Sequence, residues 1–212
     1  METLLSIGLG LGLSAACGFR VFVPLFVMSL ASVAGHLTLA PGFGWIGTYP
    51  ALTAFAVATC LEIAAYFVPW VDNLLDTIAT PAAIVAGIVV TAAAVSDMTP
   101  LLRWALAVIG GGGAAATVQV ATAVTRGTST VTTGGLGNPL VATMELGGAM
   151  TLSLLAVTLP VIAGIVVLGG LWLAARKAWM RQHGDPSHPR PDDSPGGDPR
   201  TAMKSLETGP SP

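Results

Sequence analysis

The chain has 212 residues, of which 53% are hydrophobic and only 9% charged, with a net charge of −2 and a mean hydropathy of +0.75. Soluble domains are about one quarter charged, so this composition excludes an ordinary soluble globule. No basic run interleaves with aromatic residues in the hydrophobic part, which excludes nucleic acid as a partner and leaves the lipid bilayer as the first one.

Hydrophobic stretches long enough to span the roughly 30 Å core of a bilayer fall at residues 4–34, 49–68, 79–97, 101–124 and 151–175. The first is too long for one straight helix, since 31 residues would reach about 46 Å. Gly18 and Pro24 bracket Arg20 within it, which predicts a break near Arg20. Leu13-Ser14-Ala15-Ala16-Cys17 imitates a lipoprotein cleavage site, but nothing basic precedes it, so Met1 is expected to be the mature start and Cys17 a packing thiol, as is Cys60. Gly8, Gly10 and Gly12, like Gly110 to Gly113, are expected to let helices approach closely rather than to cradle a phosphate.

Glu62 lies deep in the second stretch. Pro69 can open the next helix, on which Asp72 and Asp76 share a face. Two like charges there fit three situations: a membrane surface with Trp70 as interfacial anchor, a cation or proton site, or an ion pair with Arg20 or Arg126. Beyond the fourth stretch, Gly127-Thr-Ser-Thr-Val-Thr-Thr-Gly-Gly-Leu-Gly137 reads as loop chemistry. Asn138-Pro139 then reads as an N-cap with proline at the first helical position, opening a short helix that carries Glu145 and re-enters or tilts before the last span.

The expected fold class is therefore all-α, a polytopic transmembrane bundle of five to six spans with broken helices. Residues 1–178 form the membrane domain. Residues 179–212, rich in Pro, Gly, Asp and Ser and holding His183 and His188, form a disordered tail. Arg176, Lys177 and Arg181 after the last stretch place the tail in the cytoplasm, and Arg103 marks the 97–103 connection as cytoplasmic too, with two spans between them. An order of Arg, Glu and Pro with Ala-Gly-Ile-Val-Val occurs twice, at Arg20, Glu62 and Pro81 and at Arg126, Glu145 and Pro160. If each half crosses three times, the copies form an inverted repeat of the kind found in secondary transporters.

Arg20, Glu62, Asp72, Asp76, Arg126 and Glu145 are the ionisable groups to explain. Each charge at the bilayer centre costs about 2.5–3.5 kcal/mol, so six facing lipid unpaired would cost on the order of 15–20 kcal/mol. Arginine does not shed its proton, so pairs of Glu62 with Arg20 and of Glu145 with Arg126 are expected, either as structural tethers or as a proton- or substrate-coupled pair. With Asn138, these are the candidate substrate- or ion-binding residues. No Ser/His/Asp, Cys/His or metal-ligating constellation is found, so no catalytic residue, metal or cofactor is expected.

Gly18-Phe-Arg20-Val-Phe-Val-Pro24-Leu25, Glu62 with Pro69, Asp72, Asp76 and Pro81, and Arg126 followed by Gly134-Gly135, Asn138-Pro139 and Glu145 together resemble the bacterial membrane-protein family filed as domain of unknown function 4126. The resemblance covers about residues 5–175. In that family the segment after the first Glu often carries Asp-Lys before the Pro, and a second acid follows the later Glu. Here Tyr66, Phe67 and Leu146 stand at those places, which implies a different specificity if the missing groups serve a substrate. The resemblance implies a multi-pass inner-membrane protein and brings no activity with it. The leading functional expectation is a small carrier or channel for an ion or small polar solute. The alternative is a non-catalytic scaffold or partner-binding protein with structural ion pairs, and a homo-oligomer is open in either case.

Overall fold

The structure, a computed structural model, describes residues 2–65 and 69–183; the side chains of 69–77, 178 and 181–183 lie outside that description. Its elements in chain order are α1 (Glu2–Cys17), α2 (Phe22–Val33), a 3₁₀ turn (Gly44–Gly47), α3 (Tyr49–Ala65), α4 (Pro69–Ala94), α5 (Pro100–Leu106), a π segment (Ala107–Gly112), α6 (Gly113–Thr133), α7 (Asn138–Thr158) and α8 (Pro160–His183). No strand occurs among the described residues. Among the described residues three helices are long and apolar enough to cross a membrane: Pro100–Thr133, Asn138–Thr158 and Pro160–Lys177. The chain is a membrane protein built as a helical bundle. It divides into two units, Met1–Leu171 and Trp172–Pro212. In the second, the Arg176 guanidinium stands 5.4 Å from the Trp172 ring centroid. The helix α8 continues through His183, into the stretch expected as a disordered tail from residue 179; residues 184–212, with His188, lie outside the described residues.

The predicted break near Arg20 is present between α1 and α2, and it reverses the chain. Gly10 faces Thr91, in the last turns of α4, and a Cβ on Gly87 would come within 2.7 Å of Ser14 Oγ, so α1 runs antiparallel to α4. After α2 the chain returns to the same place: the Ala40 N–H donates to Ala93 O at 2.8 Å. The start of α1 and the end of α2 thus both lie at the C-terminal end of α4. Their junction lies at the opposite level, where a Cβ on Gly18 would meet Ala115 O and Val118, at the middle of the long Pro100–Thr133 helix. The segment is a hairpin that doubles back, with Arg20 at its tip. At 12 residues, α2 reaches only about 18 Å, well short of a bilayer core.

Glycine at the limb surfaces makes the hairpin fit. A Cβ on Gly8 would collide with the Pro160 carbonyl, and one on Gly12 would reach Ala156 at 2.7 Å and Ala163 at 3.0 Å; close backbone approach is how membrane helices associate without a hydrophobic drive. The π segment has a local cause. Ser14 Oγ donates to Gly111 O, and Thr91 Oγ1 donates to Gly10 O at 3.1 Å. A hydroxyl from α1 thus competes for a carbonyl in the glycine-rich turn of the long helix, and such an insertion widens an α-helix into a π bulge.

Three sequence expectations change here. Residues 127–133 are not a loop: α6 runs to Thr133, and only Gly134 to Gly137 turn the chain, with Gly134 and Gly135 at φ +64° and +89°. The hydroxyls of Thr125, Thr128, Thr132 and Thr133 donate to the carbonyls of Ala121, Val124, Thr128 and Ser129, so a run that reads as polar coil satisfies itself within a helix. The helix bearing Glu145 is not short, since α7 runs 21 residues to Thr158. The stretch 151–175 is divided at Pro160, because proline lacks an N–H and disfavours the helical region at Leu159, which sits at φ −135° and ψ 65°. Arg103 and the tail are consequently separated by three candidate spans rather than two. The second copy of the Arg, Glu, Pro order also sits differently in its helices: Pro81 is inside α4, whereas Pro160 opens α8.

Candidate functional site

At the hairpin tip the chain leaves α1 through Gly18 and Phe19 and starts α2 at Phe22, so the first amides of α2 have no helical carbonyl to bond. Glu62, on the last turn of α3, fills this need. Its Oε1 accepts the Val21 N–H at 2.8 Å and its Oε2 the Phe22 N–H at 3.1 Å. The carboxylate thereby caps α2 from a neighbouring helix, where α2 has no side-chain cap of its own.

Glu145, two turns into α7, is held differently. Arg126 Nε donates to Oε1 at 2.9 Å, and Arg126 Nη2 pairs with Oε2. This is a fork-to-fork contact, the strongest geometry a carboxylate and a guanidinium can adopt. Arg126 lies seven residues before the end of α6 and Glu145 seven after the start of α7, so the turn at Gly134 to Gly137 sets them at one height. Arg20 joins them from the tip. Its Nη2 donates to Ala142 O at 2.8 Å and stands 3.8 Å from Glu145 Oε2. Arg20, Glu62, Arg126 and Glu145 are all buried, with 2%, 8%, 6% and 4% of their surface exposed.

The expected pair of Glu145 with Arg126 is therefore present, and Arg20 adds a second guanidinium to it. Glu62 instead takes the backbone amides next to Arg20, while the charges of both Arg20 and Arg126 act on it through space. The signal that could have found this is the break itself, which frees two amides beside an arginine and asks for an anion. Asn138 opens α7 and its Nδ2 donates to Thr130 Oγ1 at 3.1 Å. That places its backbone roughly 10 Å along the helix from Glu145. Asp72 and Asp76 lie on α4, which Pro69 opens as expected; their side chains, with that of Trp70, lie outside the described residues.

Both glutamates border open space. A pocket of about 430 Å³ between α3, α4 and the tip has Glu62 as its acidic group, against Phe22, Leu61, Ile78 and Ala82. A second, of about 380 Å³, lies between α6, α7 and Phe19 and is bordered by Thr122, Thr125 and Glu145. The walls are otherwise apolar, the usual form of a site in which a few polar groups fix orientation. Among the described residues no group of three His, Cys, Asp or Glu side chains is placed to hold a metal ion.

Neither the curated proteins nor the solved structures contain a match to this chain. The family model described as Domain of unknown function (DUF4126) matches residues 7–180, from α1 through the end of the last candidate span, and so covers the hairpin with Arg20, Glu62, Arg126 and Glu145. The chain belongs to the DUF4126 family.

Proposed function

We propose that the protein is a small carrier or channel for an ion or small polar solute, with Arg20, Glu62, Arg126 and Glu145 as its polar centre. The observation that carries this reading is that both glutamates fastening the hairpin tip also border pockets. A purely structural ion pair gains nothing from adjoining open volume, whereas a transport site needs it. Broken helices meeting buried charges are the form in which membrane carriers present helix termini to their solutes. Asp72 and Asp76, four residues apart on α4, would add cation-attracting charge on the same reading. We assign the protein to an inner membrane with its C-terminus cytoplasmic; Arg176 and Lys177 at the end of the last span support this orientation.

The double guanidinium hold on Glu145 favours the second reading, a scaffold whose charges tie helices together. Solid-supported-membrane electrophysiology on reconstituted protein separates the two, using proton, sodium and small-solute jumps on wild type, Glu62→Gln and Glu145→Gln. A current lost in the substitutions makes the buried charges a transport path. Absence of current from folded protein under every jump assigns them to the scaffold.

A further inference from the structure

The two carboxylates differ in what protonation would do to them. At Glu145 the partner is a permanent cation in fork geometry. At Glu62 the hydrogen-bond partners are two backbone amides, one on each oxygen. An ionised carboxylate accepts at both oxygens, but a protonated one turns one of them into an O–H donor and can no longer serve both amides in the same way. The amides concerned are the first two of the returning limb, and the residue before them is Arg20, whose guanidinium reaches Ala142 and Glu145. A pocket of about 430 Å³ adjoins Glu62, and among the described residues the carboxylate is the one acidic group on its otherwise apolar wall.

We propose that Glu62 is a proton-binding site that latches the hairpin. Ionised, it pins the start of α2 to α3; protonated, it releases one amide and frees the tip to move against α6 and α7. The proposal rests on the carrier reading only for its purpose, naming the proton as the coupling ion; the latch itself is a property of the hairpin. The charged and titratable groups around Glu62 are Arg20 at the tip, Arg126 on α6 and the Cys17 thiol at the end of α1, with Asp72 and Asp76 on α4, whose side chains lie outside the described residues. Both arginines keep their charge across the accessible pH range, so a change in the latch between mildly alkaline and acid pH tracks a carboxyl group.

Hydrogen–deuterium exchange on the full chain in lipid nanodiscs, at two pH values and corrected for intrinsic exchange, reads the amides of Val21 and Phe22. Hydrogen bonds to a charged group are worth about 1.5–3 kcal/mol, so releasing one lowers protection roughly tenfold or more. Wild type should be protected at alkaline pH and lose protection in acid. Glu62→Gln, which copies the protonated shape, should be unprotected at both, and Glu145→Gln should keep the pH response. Equal, pH-independent protection in wild type and Glu62→Gln overturns the latch. If Glu62→Gln does not fold, Glu62→Asp decides: a retained pH response supports the latch, and its loss overturns it. Exchange needs no current, so a working latch in a protein without transport overturns the carrier alone, and a current with an unresponsive latch overturns this proposal alone.

Discussion

Glu62 and Glu145 are the same side chain, both more than nine-tenths buried, both within one bundle, yet one is held by a helix terminus and the other by guanidinium groups. One bundle thus satisfies a buried carboxylate in two ways, by backbone amides at Glu62 and by side-chain cations at Glu145. A fork-shaped cation beside a carboxylate satisfies both of its oxygens at once and cannot be neutralised by losing a proton. Two amides offer partial charges fixed in place by the backbone, which hold an anion as long as it stays an anion.

The largest effect expected from this contrast is at Arg126. Arg126→Ala leaves Glu145 buried without its main partner, a change that costs about 3–5 kcal/mol when an ion pair loses one member. Arg20, 3.8 Å from the same carboxylate, should hold the loss to the lower part of that range. Unfolding by steric trapping in bicelles measures it. Replacing both residues together, Arg126→Met with Glu145→Leu, should restore most of the stability, since a buried pair exchanged for apolar side chains is often neutral. Failure of the double variant to recover would show that the pair does more than tie α6 to α7.

Glu62→Gln should cost less, about 1 kcal/mol in the same assay. The substitution trades charge-assisted bonds for weaker neutral ones but also removes a charge from a dry place. A loss above about 3 kcal/mol would make Glu62 a lock like Glu145, and the distinction between the two sites would fall.

The parts of this arrangement that the sequence makes legible are those with local causes. Gly18 and Pro24 around Arg20 announce a break; Asn138-Pro139 announces the start of α7; rare charges among Ala, Gly and Val announce a polar centre. What escapes is set by tertiary partners. Whether the broken segment crosses or returns depends on Gly10 meeting Thr91 and Ala40 meeting Ala93, contacts more than fifty residues apart in the chain. The capping of α2 by Glu62 joins a side chain to backbone donors, which have no residue signature. The Thr- and Ser-rich end of α6 misleads for a chemical reason: in water such residues compete with the helix, but the hydroxyls of Thr128, Thr132 and Thr133 bond back to carbonyls one turn earlier. Reading that run as coil also hides Asn138–Thr158 as a candidate span of its own.

The smallest expected effect bears on the Glu145 side of the comparison. Thr125 borders the pocket beside Glu145, and its hydroxyl donates to Ala121 O at 2.9 Å. Because the carbonyl it meets already belongs to the helix ladder, Thr125→Val should change stability by less than about 0.5 kcal/mol, the range of substitutions that disturb no buried network. Its effect on solute-evoked current is a separate matter. If the pocket takes a polar solute, the hydroxyl is one of the few polar groups on the wall and its loss should weaken the current at low solute concentration while leaving the saturating current in place. A current with unchanged concentration dependence would leave the Glu145 pocket to lipid and confine the solute path to the side of the hairpin where Glu62 stands.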